Sequence, residues 1–358
     1  MRHKHSEYLH WAKTQSRARY NLATSGVGAF PLREMPVDWD RLEINGDNSY
    51  GYAPLTAAIG ARHGVDPDCV VEAAGTSMAN HLAMTAILEP GDEVLIEEPA
   101  YGPILDAARY LEADIRRFPR SEESGYAVDP AAVAHAVTPR TRLIVITNLH
   151  NPSSVLTPDA VLRDVGEVAR SVGALVLVDE VYLDAVYEHT PRSAFHLGPE
   201  FVTTSSLTKL YGVSGLRCGW ILARPDLARR MRLLNNVFGA SPVHPGELLS
   251  VMAFEHLAVL RDRARRVVDT DRAALSGFLS QHRELVSAPA SVWGTTCFLR
   301  LCRKPADEFL ERLRDTYDTS AVPGRFFEMP SHIRIGMGVD SAMFAEGLRR
   351  LGQALAAQ

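Results

Sequence analysis

Three short apolar runs set the strongest limit on how this chain can fold: Val94-Leu95-Ile96, Leu143-Ile144-Val145-Ile146 and Ala174-Leu175-Val176-Leu177-Val178. Each is continuous and rich in β-branched residues, so both faces of the strand it forms must be covered. A parallel sheet with helices packed on either side does this. Helical stretches lie between the runs. In the stretch from Pro158 to Val172, Pro158 opens the first turn, Thr157 is the expected N-cap and Gly173 the expected stop. Strands alternating with helices predict an α/β domain over residues 46–240, its sheet mostly parallel and flanked by helices. The last third changes character. A long Arg-rich helical pattern from Glu247 to Gln281 leads into strand candidates Thr295 to Cys302 and His332 to Gly336, with helices at Ala306 to Tyr317 and Ser341 to Ala356. Residues 1–45 and 241–358 are therefore expected to form a smaller α+β domain, connected through that long helix.

A formal net charge of −5 argues against a nucleic-acid partner or an acidic membrane surface. No apolar run reaches the roughly 18 to 20 residues that a membrane span needs. The stretch Met1 to Arg19 is basic and polar, without the apolar centre of a secretory signal. Cys69, Cys218, Cys297 and Cys302 form no CxxC pair and suggest neither a zinc site nor a disulfide framework. The expectation is a soluble, cytoplasmic protein that binds no metal, with His3-Lys4-His5 in a frayed, solvated tail. The basic residues are lopsided: 34 are Arg and four are Lys, and Lys209 is the only lysine between Lys13 and Lys304.

Ligands of open α/β sheets collect at the carboxyl ends of the strands. Asp179 stands there, directly after the run Ala174 to Val178. Burial disfavours its charge, so it needs a cationic partner; alternatively it caps the following segment. Thirty residues on, a polar loop carries Lys209, then Gly212, Gly215 and Arg217. A lysine forms Schiff bases with carbonyls, and an arginine suits a phosphate. Singly, each reads as a solvated surface group. Together with Asp179 they fit a pyridoxal phosphate site, where a lysine holds the aldehyde and an acid pairs with the ring nitrogen.

Other short motifs stand in order around these three: Gly75-Thr76-Ser77, Pro99-Ala100-Tyr101, Asn151-Pro152, Asp179-Glu180-Val181-Tyr182, Ser206-Leu207-Thr208-Lys209 and Ile333-Arg334-Ile335. In this order and spacing the sequence resembles the class I and II aminotransferases of the fold-type I pyridoxal-phosphate enzymes, from Asn21 to Arg334. The resemblance implies the following roles. Lys209 would hold the cofactor and move the proton at the substrate α-carbon. Asp179 would keep the pyridine nitrogen protonated, with Tyr182 and Asn151 on the phenolic oxygen. Gly75, Thr76, Ser77, Ser206 and Arg217 would hold the phosphate, and Tyr101 would stack on the ring. Arg334 would clamp the substrate carboxylate, beside Gly26 and Asn151. A tyrosine would reach the phosphate of a neighbouring subunit; Tyr50 and Tyr52 compete for that place, Tyr50 being preferred. One departure stands out: Ser153-Ser154 replaces the family's Thr-Gly after Asn151-Pro152.

The expected function is transfer of an amino group from an L-amino acid to a 2-oxo acid by a homodimer. The alternative is elimination, replacement or cyclisation of an amino acid at the same site. A ligand-sensing regulator domain is disfavoured, since only about 20 residues precede Asn21, too few for a helix-turn-helix. Side-chain selectivity is expected in the loops at Ser25 to Val27, residues 189–196 and Gly324 to Phe327.

Overall fold

The apolar runs lie at the centre of a seven-stranded sheet. Its strands in chain order are β1 (Val70–Ala74), β2 (Glu93–Glu98), β3 (Asp114–Pro119), β4 (Thr141–Thr147), β5 (Leu175–Asp179), β6 (Phe201–Ser206) and β7 (Cys218–Leu222). In space they run β1-β7-β6-β5-β4-β2-β3. All are parallel except β7, which is antiparallel to both of its neighbours. The computed structural model describes residues 3–47, 49–302 and 306–357; Lys304 falls outside them.

The continuous runs divide by the two-residue period of a strand. Val94, Ile96, Leu143, Val145 and Leu177 enter a core on one face with Leu82 and Met84 of the helix Thr76–Ile87 and Met231 of Pro225–Phe238. Leu95, Ile144, Ile146, Val176 and Val178 enter the core on the other face with Leu162 and Val165 of the helix Asp159–Val172. Each such side chain contributes about 1.5–3 kcal/mol by leaving water.

A second, four-stranded antiparallel sheet joins Val322–Pro323, His332–Gly336, Thr296–Leu301 and Val286–Ser287 in that spatial order. It shares a core with the helices Leu257–Gln281, Ala306–Tyr317 and Ser341–Ala356. A short parallel pair, Tyr20–Asn21 with Thr319–Ser320, ties the early chain to this region.

Several local expectations need correction. Thr157 does not cap the helix that follows: Pro158 holds the cap position, and Thr157 bonds Asn148 and Arg120 instead. The stop at Gly173 holds, in a left-handed conformation at φ +73°. The helical pattern Glu247 to Gln281 is two helices, His244–Glu255 and Leu257–Gln281, divided at His256. Within its arginine run, Arg263 donates to the carbonyls of Gly28 and Ala29. Nor is the first part of the chain a loose tail. His3 bonds Asp106 at 3.1 Å, and Ser6 caps a helix, Glu7–Thr14, that buries Tyr8 and Trp11. Period-3 spacing of two aromatics after a Ser cap was the available signal.

Candidate active site

Reversal of β7 explains why distant motifs meet. The ends of β1, β2, β4, β5 and β6 share one edge of the sheet, and the start of β7 comes to the same edge. Gly75, Tyr101, Asn151, Asp179, Ser206 and Arg217 all follow from this placement.

At the β1–β7 seam, Ala74 pairs with Cys218, so Gly75 and Arg217 flank the same register position. Arg217 Nη2 donates to Ala74 O at 2.9 Å. Gly75 has φ +79°, and a Cβ there would stand 2.3 Å from Arg217 Nη2. A Cβ on Gly219 would meet Gly75 Cα at 2.6 Å. Gly219 is thus required by close approach of backbone, and Gly75 by its positive φ. Gly75 precedes the helix Thr76–Ile87, whose first N–H groups are free to face an anion. Thr76 Oγ1 donates to Ser206 Oγ at 2.8 Å, joining two hydroxyls at this helix end. Ser77 lies exposed beside them.

Lys209 Nζ donates to Ser25 Oγ at 2.7 Å and stands 6.0 Å from the Tyr182 ring centre. Burial pushes its ammonium below the ordinary lysine value, with Tyr8 and Asp179 opposing the shift and Arg334 adding to it. Gly26 lies against the Lys209 backbone, where a Cβ would be 2.6 Å from the carbonyl oxygen. Asp179 is buried, and burial pushes its carboxyl up to about 6. Asn80 Nδ2 at 2.7 Å and the Val181 N–H at 3.1 Å partly offset this. Asp179 forms no ion pair among the described residues. The Tyr182 hydroxyl is buried, with Ser25 as its one neighbour able to hydrogen-bond it among the described residues.

Arg334 is fully buried. Its Nη1 donates to Asn151 Oδ1 at 2.9 Å and its Nη2 to Tyr8 Oη at 2.8 Å, while Nε has no partner. Asn151 is positioned from below: its N–H donates to Thr147 Oγ1, which donates to Glu97 Oε1, and Glu97 is paired with Arg120 at 2.7 Å in full burial. Tyr101 is half-buried, its ring edge-on to Tyr8 at 5.4 Å. Phe327 of the Gly324–Phe327 segment also adjoins Arg334, 4.9 Å from ring centre to guanidinium carbon. Residues 190–193 instead line a separate cleft with Arg62, Asp184 and Glu180. Tyr50 lies on the surface, 62% exposed.

Sequence reasoning missed Tyr8 and Asn80, and placed Ser25 in a selectivity loop without its bond to Lys209. Asn80 follows Thr76 by one helical turn, which puts both on one helix face, and Ser25 adjoins Gly26. Tyr8 had no signal in the motifs. The Ser153-Ser154 departure has a structural counterpart. Ser154 takes the left-handed conformation at φ +61°, and its hydroxyl bonds Thr296 O at 2.9 Å. Among the described residues no cluster of His, Cys, Asp or Glu has the makings of a metal site. No described helix is long and apolar enough to cross a membrane.

Comparison with known proteins fits this geometry. A family model described as aminotransferase class I and II matches residues 43–351. Capreomycidine synthase of Streptomyces vinaceus is 26% identical over 95% of this chain and 90% of its own length. A Mycobacterium tuberculosis protein named as an N-succinyldiaminopimelate aminotransferase is 30% identical over 78% of this chain and 74% of its own. A solved structure of a PLP-dependent aminotransferase from Streptococcus suis 89-1591 superposes with a TM-score of 0.93, at 24% identity, covering 100% of this chain and 99% of that one.

Proposed function

The chain belongs to the class I and II aminotransferase family, and on that premise we propose that it is a pyridoxal phosphate enzyme moving the amino group of an L-amino acid to a 2-oxo acid. The observation that carries this reading is Lys209: its amine donates to Ser25 at 2.7 Å, stands 6.0 Å from the Tyr182 ring centre, and feels the opposed charges of Asp179 and Arg334 while burial lowers its proton affinity.

The residues present fit the cofactor. Asp179 is a buried acid that makes no ion pair among the described residues, and a protonated ring nitrogen would supply one. The seam at Gly75, with Thr76, Ser77, Ser206, Arg217 and a helix N-terminus, has the donors a phosphate needs. The buried Tyr182 hydroxyl and Asn151 suit the phenolic oxygen. When bound, the cofactor would supply an electron sink for the bonds at the substrate α-carbon. The chain would do the rest. Lys209 Nζ, its ammonium disfavoured by burial and held by Ser25, would take the proton from the α-carbon. Asp179 would keep a proton on the ring nitrogen. Arg334, steadied by Asn151, binds the α-carboxylate through parallel N–H donors. A second copy of the chain would complete the site: Ile44 and Val243 stand 82% and 76% exposed around one groove with Tyr52, and Tyr50 lies next to it.

A second reading, cyclisation of an amino acid, is favoured by the match to capreomycidine synthase across nearly the whole of both chains. One experiment separates the two. The enzyme is incubated with single L-amino acids and a 2-oxo acid acceptor, and products are identified by mass. A 2-oxo acid from the donor with a new amino acid from the acceptor supports transamination. Ammonia or a cyclised donor, with the acceptor unchanged, refutes it.

A further inference from the structure

Arg334 presents an incomplete site. It is a buried guanidinium with no carboxylate partner among the described residues, held by two neutral oxygens. Such a charge is costly unless an anion joins it. One of the two oxygens belongs to Tyr8, on the helix Glu7–Thr14, 326 positions away in sequence. Tyr8 Oη accepts from Arg334, and its own hydrogen has no acceptor among the described residues. The ring is fixed by edge-on contacts to Tyr101 at 5.4 Å and Phe326 at 5.5 Å. Ser6 at the helix start and the Trp11–Phe326 contact hold the helix against this wall.

A phenylalanine would make the same ring contacts. The hydroxyl adds a donor within 2.8 Å of the Arg334 guanidinium, and accepting from that guanidinium makes the O–H a stronger donor. We propose that Tyr8 is a substrate-binding residue: with Arg334 and Asn151 it forms the α-carboxylate site, its hydroxyl donating to one carboxylate oxygen while the guanidinium donates to the carboxylate. The helix Glu7–Thr14 is then part of the substrate site. This rests on the reading of Arg334 as the carboxylate clamp, and the test separates the two.

The holoenzyme is titrated by calorimetry with pyruvate and with neutral pyruvamide, comparing wild type, Tyr8→Phe and Arg334→Gln. Phenylalanine keeps the packing. Loss of a hydrogen bond to a charged group predicts a roughly tenfold or greater weakening of pyruvate binding in Tyr8→Phe. Pyruvamide affinity is expected to stay within about twofold. Unchanged pyruvate affinity in Tyr8→Phe, or equal weakening for acid and amide, overturns the proposal. If Arg334→Gln weakens pyruvate while Tyr8→Phe does not, only the Tyr8 role falls. If the wild type fails to bind pyruvate, or Arg334→Gln leaves binding unchanged, the clamp falls with it.

Discussion

Asp179→Asn is expected to stabilise the cofactor-free protein at alkaline pH while damaging the enzyme. Burial lifts the Asp179 carboxyl from its ordinary 3.8 to about 6. The folded state therefore binds more protons than the unfolded one between these values, and stability falls as pH rises through that window. Above it, ionising Asp179 in place costs about 3 kcal/mol, at about 1.36 kcal/mol per unit. Asparagine removes this cost. Its amide oxygen still accepts from Asn80, but one of the two acceptors is lost, at about 1 kcal/mol. The net gain is about 2 kcal/mol at pH 8, vanishing between about pH 4 and 5. For a chain of this length that corresponds to about 3 °C in melting temperature. Scanning calorimetry of the cofactor-free proteins at pH 8 and pH 4.5 measures it directly. With cofactor added, the ranking is expected to reverse, because only the carboxylate holds the ring proton. A variant no more stable than wild type at pH 8, or a gap that does not change with pH, would refute the reasoning.

Three further outcomes are expected. Lys209→Ala should lose both turnover and the visible absorbance of the lysine-bound cofactor; a variant keeping either one displaces Lys209 from its role. Gly75→Ala places a methyl group against Arg217 at a left-handed position, so cofactor affinity should fall at least tenfold by equilibrium dialysis, with the apo fold retained. Arg120→Met strands Glu97 in full burial and should destabilise by about 3–5 kcal/mol at pH 7. Adding Glu97→Leu should recover most of that in denaturant titration, and additive losses in the double variant would contradict a coupled pair.

Much of the fold could be read from the sequence because its central strands are buried on both faces, and continuous apolar runs mark such strands plainly. Edge strands gave weaker signals. β3, Asp-Ile-Arg-Arg-Phe-Pro, carries two arginines whose stems and guanidiniums are occupied by neighbouring carbonyls and acids, so its pattern is set by partners the sequence does not display. The site motifs were legible because strand ends convert chain order into a shared edge. Asn80 and the bond from Lys209 to Ser25 were not, since each supports a residue that does carry a motif. Thr157 shows the limit of local rules: a good capping residue was drawn instead into the Arg120 network. Ser154 shows the converse, a residue holding a left-handed turn where glycine was expected, with a bond to Thr296 as compensation.

The seam between β1 and β7 has a consequence for assembly. β1 is the first strand of the seven in the chain and β7 the last, so their pairing closes a loop of well over a hundred residues. Such long-range closure contributes the steepest entropy loss in forming the sheet. The phosphate donors at Gly75 and Arg217 exist as a pair only once it is made. A ligand held there therefore acts as a clasp across the sheet's most distant join. By mass action it should lower the population in which β1 has peeled away, leaving the cofactor-free enzyme more open to proteolysis next to Gly75.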